Sequence, residues 1–185
     1  MEFHKAQIGQ LMHAQDLRHI PAAPGIYLVG VPFDGFEPNI SDATTGPRFV
    51  KGRSMLYPAS KLKEKFNLSD KRCLYIGESD NLQHRITLFL QYGRGEDVPH
   101  RGGRAIWQIA NSDELILAWC PCPNHENVKS ALLASYRQSF GVLPMANKKS
   151  GKFIAYNGAP QYERDILQEP NNNDTQTTTH RRWRW

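Results

Sequence analysis

The chain has 185 residues, a formal net charge of +5 and a pI near 9.2, enough length for one domain with a proper core and enough base to suit a polyanionic partner. Three cysteines, Cys73, Cys120 and Cys122, make no pairable framework, and there is no apolar run of signal-peptide or membrane-spanning length. These features argue against a disulfide scaffold or a membrane partner and make a soluble protein of a reducing cytoplasm the expectation. In "CPCPNH" the spacing of Cys120, Cys122 and His125 is too tight for a zinc site, and a fourth ligand is missing.

In chain order, Ile8, Leu11, Met12 and Leu17 fall at helical spacing and predict a short helix within the first twenty residues, broken by "PAAPG". "GIYLVGV", residues 25–31, is short, aromatic and β-branched and predicts a strand. Residues 32–72 are rich in Pro, Gly, Asp and Lys and read as a long insertion, with a helix over "ASKLKEKF". "CLYIG" predicts the next strand. "DNLQHRITLFLQYG" predicts a helix, capped by Ser79 or Asp80 and stopped by Gly93. "AIWQIA" and "ELILAWC" read as extended segments around a polar turn. "HENVKSALLASYRQSFG" predicts a helix from an Asn124 cap to Gly141, with Glu126 in its first turn. "GKFIAYNG" reads as a further extended segment that closes a single domain over residues 1–167. Residues 168–185, ending in "RRWRW", read as a disordered basic and aromatic tail suited to phosphate or base stacking.

Charge is concentrated in the insertion. From Arg48 to Arg72 there are eight Lys/Arg and two Asp/Glu. Lys51, Lys61, Lys63 and Lys65 are candidates for salt-dependent phosphate contact, and Arg48, Arg53 and Arg94 for base readout. Arg101 and Arg104 flank His100 in a second basic stretch.

The tripeptides "GIY" at 25–27 and "YIG" at 75–77, with Arg85 ten residues after Tyr75, form an ordered set, followed by "GRAIWQI" and "KSALLASYRQSFGVLPMAN". This set resembles the GIY-YIG nuclease family over roughly residues 20–150. The resemblance implies a small, mainly antiparallel α/β (α+β) sheet flanked by helices, with the insertion between its two tripeptide strands. It also implies one divalent ion, Mg2+ or Mn2+, per site, held by a glutamate on the late helix, with Asn147 supporting the site. The stand-alone type II restriction endonucleases of the family are the most similar in layout. Sequence-specific cleavage of double-stranded DNA by a homodimer is therefore the expected function, and a catalytically silent DNA-binding domain is the alternative.

The residue types suit that chemistry. Phosphodiester hydrolysis needs an activated water and a cation for the developing charge. Tyr27 and Tyr75 can relay a proton if a cation lowers their ordinary pKa near 10, and Arg85 offers a planar fork for phosphate oxygens. Phe89 stands where many family members carry a histidine, and His100 is a candidate replacement. The family's glutamate position is Lys129, on one helical stripe with Leu132, Leu133 and Tyr136 and expected to face inward. Three readings of Lys129 stay open: an inactivating substitution, a shifted register with Glu126 as ligand, or natural loss of cleavage with the ammonium as the phosphate's counter-charge.

Overall fold

The structure, a computed structural model, describes residues 2–100 and 102–148. Arg101, the segment 151–158 and the tail 168–185 lie outside the described residues.

The architecture is mixed α+β: a four-stranded antiparallel sheet in the order β1-β6-β2-β5, flanked by helices. The elements are β1 (His4–Gln7), α1 (Ile8–His13), β2 (Gly25–Gly30), β3 (Phe49–Val50), β4 (Arg53–Ser54), α2 (Ala59–Leu68), β5 (Cys73–Ser79), α3 (Leu82–Gly93), β6 (Ile116–Pro121) and α4 (His125–Phe140). Strand β2 runs between β5 and β6, with Tyr27 opposite Gly77 on one side and Trp119 on the other. The period of two then sorts the side chains. Tyr27, Val29, Tyr75, Leu117 and Trp119 join the core under α1 and α3, while Ile26, Leu28, Ile76, Ala118 and Cys120 pack with Val128, Leu133 and Tyr136 of α4.

Four expectations need correction. Residues 4–7 are not helical, because they pair with β6 and supply its outer neighbour; the helix keeps only Ile8–His13. The cap of α3 is Asn81, whose Oδ1 accepts from the His84 amide at 2.9 Å, while Ser79 Oγ holds the Asn81 amide at 3.0 Å. Gly93 does not stop α3: it lies inside the last turn, where a Cβ would come within 2.4 Å of the Trp107 ring. "AIWQIA" is not a strand; Arg104–Gln108 form a 3-10 turn entered from Gly103 at φ 70°. A run buried on every side, as Ala105, Ile106 and Trp107 are, gives the same apolar signal in either form. Trp107 packs against Phe89, the rings tilted at 40° with centroids 4.7 Å apart, and ties this turn to α3.

The insertion has structure of its own. Lys51 at φ 49° and Gly52 at φ 72° turn a two-residue hairpin between β3 and β4, and both left-handed positions match the hairpin twist. Asp42 caps α2 by accepting from the Ala59 amide at 2.7 Å. The buried Gln108 carboxamide then fastens the insertion to the domain: Oε1 accepts from the Tyr57 amide at 2.8 Å, and Nε2 donates to the carbonyls of Tyr57 and Ser41 at 2.8 and 3.1 Å. Among the described residues no helix is long and apolar enough to cross a membrane.

Candidate functional site

Glycines make room for the two tyrosines. A Cβ on Gly77 would lie 2.3 Å from Tyr27 Cζ, so the cross-strand glycine is what lets the first phenol lie flat over β5. A Cβ on Gly102 would lie 2.6 Å from the Tyr75 hydroxyl, and one on Gly103 3.1 Å from the Tyr75 ring. The loop backbone therefore covers the second phenol directly. At the first tripeptide, Gly25 lets β2 pass under the Cys120 carbonyl, which a Cβ would approach to 2.4 Å.

The ring centroids of Tyr27 and Tyr75 are 5.7 Å apart and tilted at 56°, close enough for each phenol to act on the other's proton: Tyr75 raises the Tyr27 pKa and Tyr27 draws that of Tyr75 down. Burial nevertheless pushes both phenols above their ordinary value, Tyr27 well above it. The Arg85 guanidinium draws both downward without overcoming burial. At neutral pH both phenols hold their protons, so neither is a ready phenolate.

Arg85 is half-buried on α3 and has no carboxylate within ion-pair distance among the described residues. Its charge also reaches His100. That imidazole is fully buried, packs edge-on against Phe89 at 5.5 Å, and holds Gly102 O at 2.6 Å through Nε2. A carbonyl accepts only, so Nε2 donates and Nδ1 is left as a buried acceptor with no partner among the described residues. Burial first, and Arg85 second, lower His100 to about 4, so the ring is neutral in the folded protein near pH 7. The structure thus brings Tyr27, Tyr75, Arg85 and His100 together. His84 is exposed.

Asn147 acts on the strand rather than on the phenols. Its Oδ1 accepts from the Ile76 amide at 2.9 Å and its Nδ2 donates to the Ile76 carbonyl at 2.8 Å. The Ala146 amide adds a bond to Leu74 O at 2.9 Å. The side chain completes the free edge of β5 between the residues that carry Tyr75 and Gly77. Lys65 donates to the Asn147 carbonyl, and burial lowers its pKa. It is therefore a strut between α2 and this segment, whereas Lys63 is exposed and Lys61 pairs with Glu64 at 2.8 Å on the surface. Arg94 is engaged by Glu96 at 3.0 Å. Arg48, Lys51 and Arg53 are exposed on the β3–β4 hairpin beside the exposed Phe49. Arg104 stacks over Tyr57 at 4.7 Å.

On the other face the sequence reading missed a cluster. Glu78 follows Gly77, and alternation turns it away from the tyrosine face towards α4. Its Oε1 accepts from Lys129 Nζ at 3.2 Å, and its Oε2 contacts His125 Nδ1 at 3.0 Å. His125 Nε2 contacts Asp80 Oδ1, also at 3.0 Å. Both ring nitrogens thus face carboxylate oxygens. The legible signal was "YIGES" together with His125 and Lys129 at i, i+4 on one helix face. Lys129 is turned inward and paired, as its stripe required, while Glu126 is exposed and joins none of these bonds. Glu78 stands on an edge strand, and its charge pushes both phenols upward.

These residues do not fit a divalent ion. No group of three or more His, Cys, Asp or Glu side chains among the described residues is placed to hold one, and the Lys129 ammonium lies against the carboxylate nearest the tyrosines. Comparison of the chain with models of known protein families, with curated proteins and with solved structures gives no match.

Proposed function

We propose that this chain is a GIY-YIG-type domain for double-stranded DNA, laid out as a type II restriction-like endonuclease and held in a state that binds the phosphodiester without cutting it. One observation carries the reading: two phenols with ring centroids 5.7 Å apart on neighbouring strands of one face, with the Arg85 guanidinium, which has no carboxylate partner among the described residues, acting on both and on a neutral His100. An arginine without a carboxylate partner beside buried hydroxyl donors matches a phosphate, which accepts from both and supplies the missing charge. The hairpin with Arg48, Lys51 and Arg53 suits a groove, since a two-stranded ribbon fits the major groove of a duplex. A two-fold dimer on a palindromic site would match the restriction-like layout.

The Lys129–Glu78 pair supports the silent state. The ammonium neutralises the carboxylate that would otherwise face a cation at the sheet edge. Lys129→Glu removes that partner and adds a carboxylate beside Glu78, Asp80 and His125. The test is nicking of supercoiled plasmid in magnesium or manganese by both forms. The parent chain should leave plasmid intact, and Lys129→Glu should raise nicking by about 10²- to 10³-fold, the usual worth of one preorganised electrostatic group. Efficient cutting by the parent chain would overturn the silent state. Failure of both forms to cut in any divalent metal, together with failure to bind duplex DNA, would overturn the whole reading.

A further inference from the structure

The tyrosine side holds a second group of cations that the phenol site does not use. The Arg104 guanidinium lies 4.7 Å from the centre of the Tyr57 ring, and Lys148 Nζ lies 4.3 Å from the same centre. A π face attracts each cation, but it carries no net charge and cannot neutralise two of them. Neither has a carboxylate within ion-pair distance among the described residues; the Arg104 head meets only Met55 Sδ at 3.4 Å, and its Nε is buried without a partner. Two like charges gathered on one ring, with an unfilled N–H, call for an anion. The position is built: Gln108 clamps the Tyr57 backbone from both sides, and Lys148 follows Asn147, which is locked to β5. Tyr57 also lies within electrostatic reach of Tyr75.

We infer that Arg104, Lys148 and Tyr57 form a second phosphate subsite, contributed in part by the insertion, that takes a backbone phosphate neighbouring the one at Arg85. The inference rests on the phosphodiester reading and narrows it: the ligand is a polynucleotide strand with at least two adjacent phosphates, not a mononucleotide ester. Arg104 would supply a directed fork and Lys148 a mobile point charge, with the Tyr57 ring fixing the two cations side by side.

The experiment is duplex DNA binding by the full chain in chelator, read by fluorescence anisotropy across a salt series. The double variant Arg104→Gln/Lys148→Gln should flatten the dependence of log affinity on log salt by about 2, at roughly 0.9 for each phosphate no longer neutralised. Lys148 is exposed, so Lys148→Gln alone preserves the fold and should flatten it by about 1. If Arg85→Ala weakens binding while both glutamine variants keep the parental slope, the second subsite is wrong and the phosphodiester reading survives. If the parent chain does not bind duplex DNA at any salt, the reading falls and the subsite with it.

Discussion

On the tyrosine side of the sheet, Arg85, Arg104 and Lys148 have no carboxylate in reach among the described residues; on the α4 side, Lys129, Glu78, His125 and Asp80 bond one another. The same strand, β5, feeds both: Tyr75 and Gly77 face one way and Glu78 the other. A side with satisfied charges gains little from a ligand, because any ion must first displace a bond already made. A side with unpaired cations near buried donors is improved by an anion. The comparison separates charges that satisfy one another from cations that do not find a partner among the described residues, although both sides contain residues of the types that catalysis uses.

Asn147 tests how far the tyrosine side depends on its edge. Asn147→Ala strips the partners from a buried amide and a buried carbonyl of Ile76 at once. The expected loss is about 3 kcal/mol in urea unfolding, from two groups at roughly 1–3 kcal/mol each. A loss below about 1 kcal/mol would mean that water replaces the clamp and that β5 holds its place without it.

His100 gives a pH-dependent counterpart. Its folded pKa, about 4, lies below the ordinary 6.5, so the unfolded chain takes up the proton first as the pH falls. The contribution of the neutral ring is intact above about pH 6.5 and is lost as the pH falls to about 4, a cost approaching 3 kcal/mol. Unfolding free energies of the parent and His100→Gln, compared between those limits, should converge towards acid pH. A constant difference would show that the ring does not resist protonation.

Much of this was legible beforehand, and the exceptions have physical causes. The strands holding Tyr27 and Tyr75 and the helix of Arg85 follow from hydrophobic period, and the helix His125–Phe140 from period and its Gly141 stop, whereas the cap and stop of the Arg85 helix did not. The two tripeptide glycines could be read as motif letters, but not as the space for Tyr27 and for the crossing of β2 under Cys120. Residues 4–7 were hidden because an outer strand takes its identity from a partner more than a hundred residues away. The Glu78 network was hidden for a similar reason: its bonds join β5 to α4 across 47 and 51 positions. Tyr57 carried no signal at all, since its neighbours Arg104 and Lys148 are brought to it only by the folding of the insertion.

The lysines of α2 offer a finer test. Three cations in "KLKEK" look equivalent, yet Lys65 is tied to Asn147 and Lys61 to Glu64, leaving Lys63 without a partner among the described residues. Lys63→Gln should flatten the salt slope of DNA binding by about 0.9, while Lys65→Gln should leave the slope unchanged and lower the melting temperature. Equal effects from the two would mean that the α2 face contacts DNA as a whole.

The difference between the two sides is tested most directly by duplex DNA affinity in chelator at low salt, measured for Arg85→Ala and Lys129→Ala side by side. Arg85→Ala should weaken binding on the order of 10- to 100-fold, the worth of a charge-assisted bond to phosphate. Lys129→Ala should change it by about twofold or less, because its charge is already spent on Glu78. Parental affinity in Arg85→Ala, with a large loss in Lys129→Ala, would contradict the account and place the DNA on the α4 side.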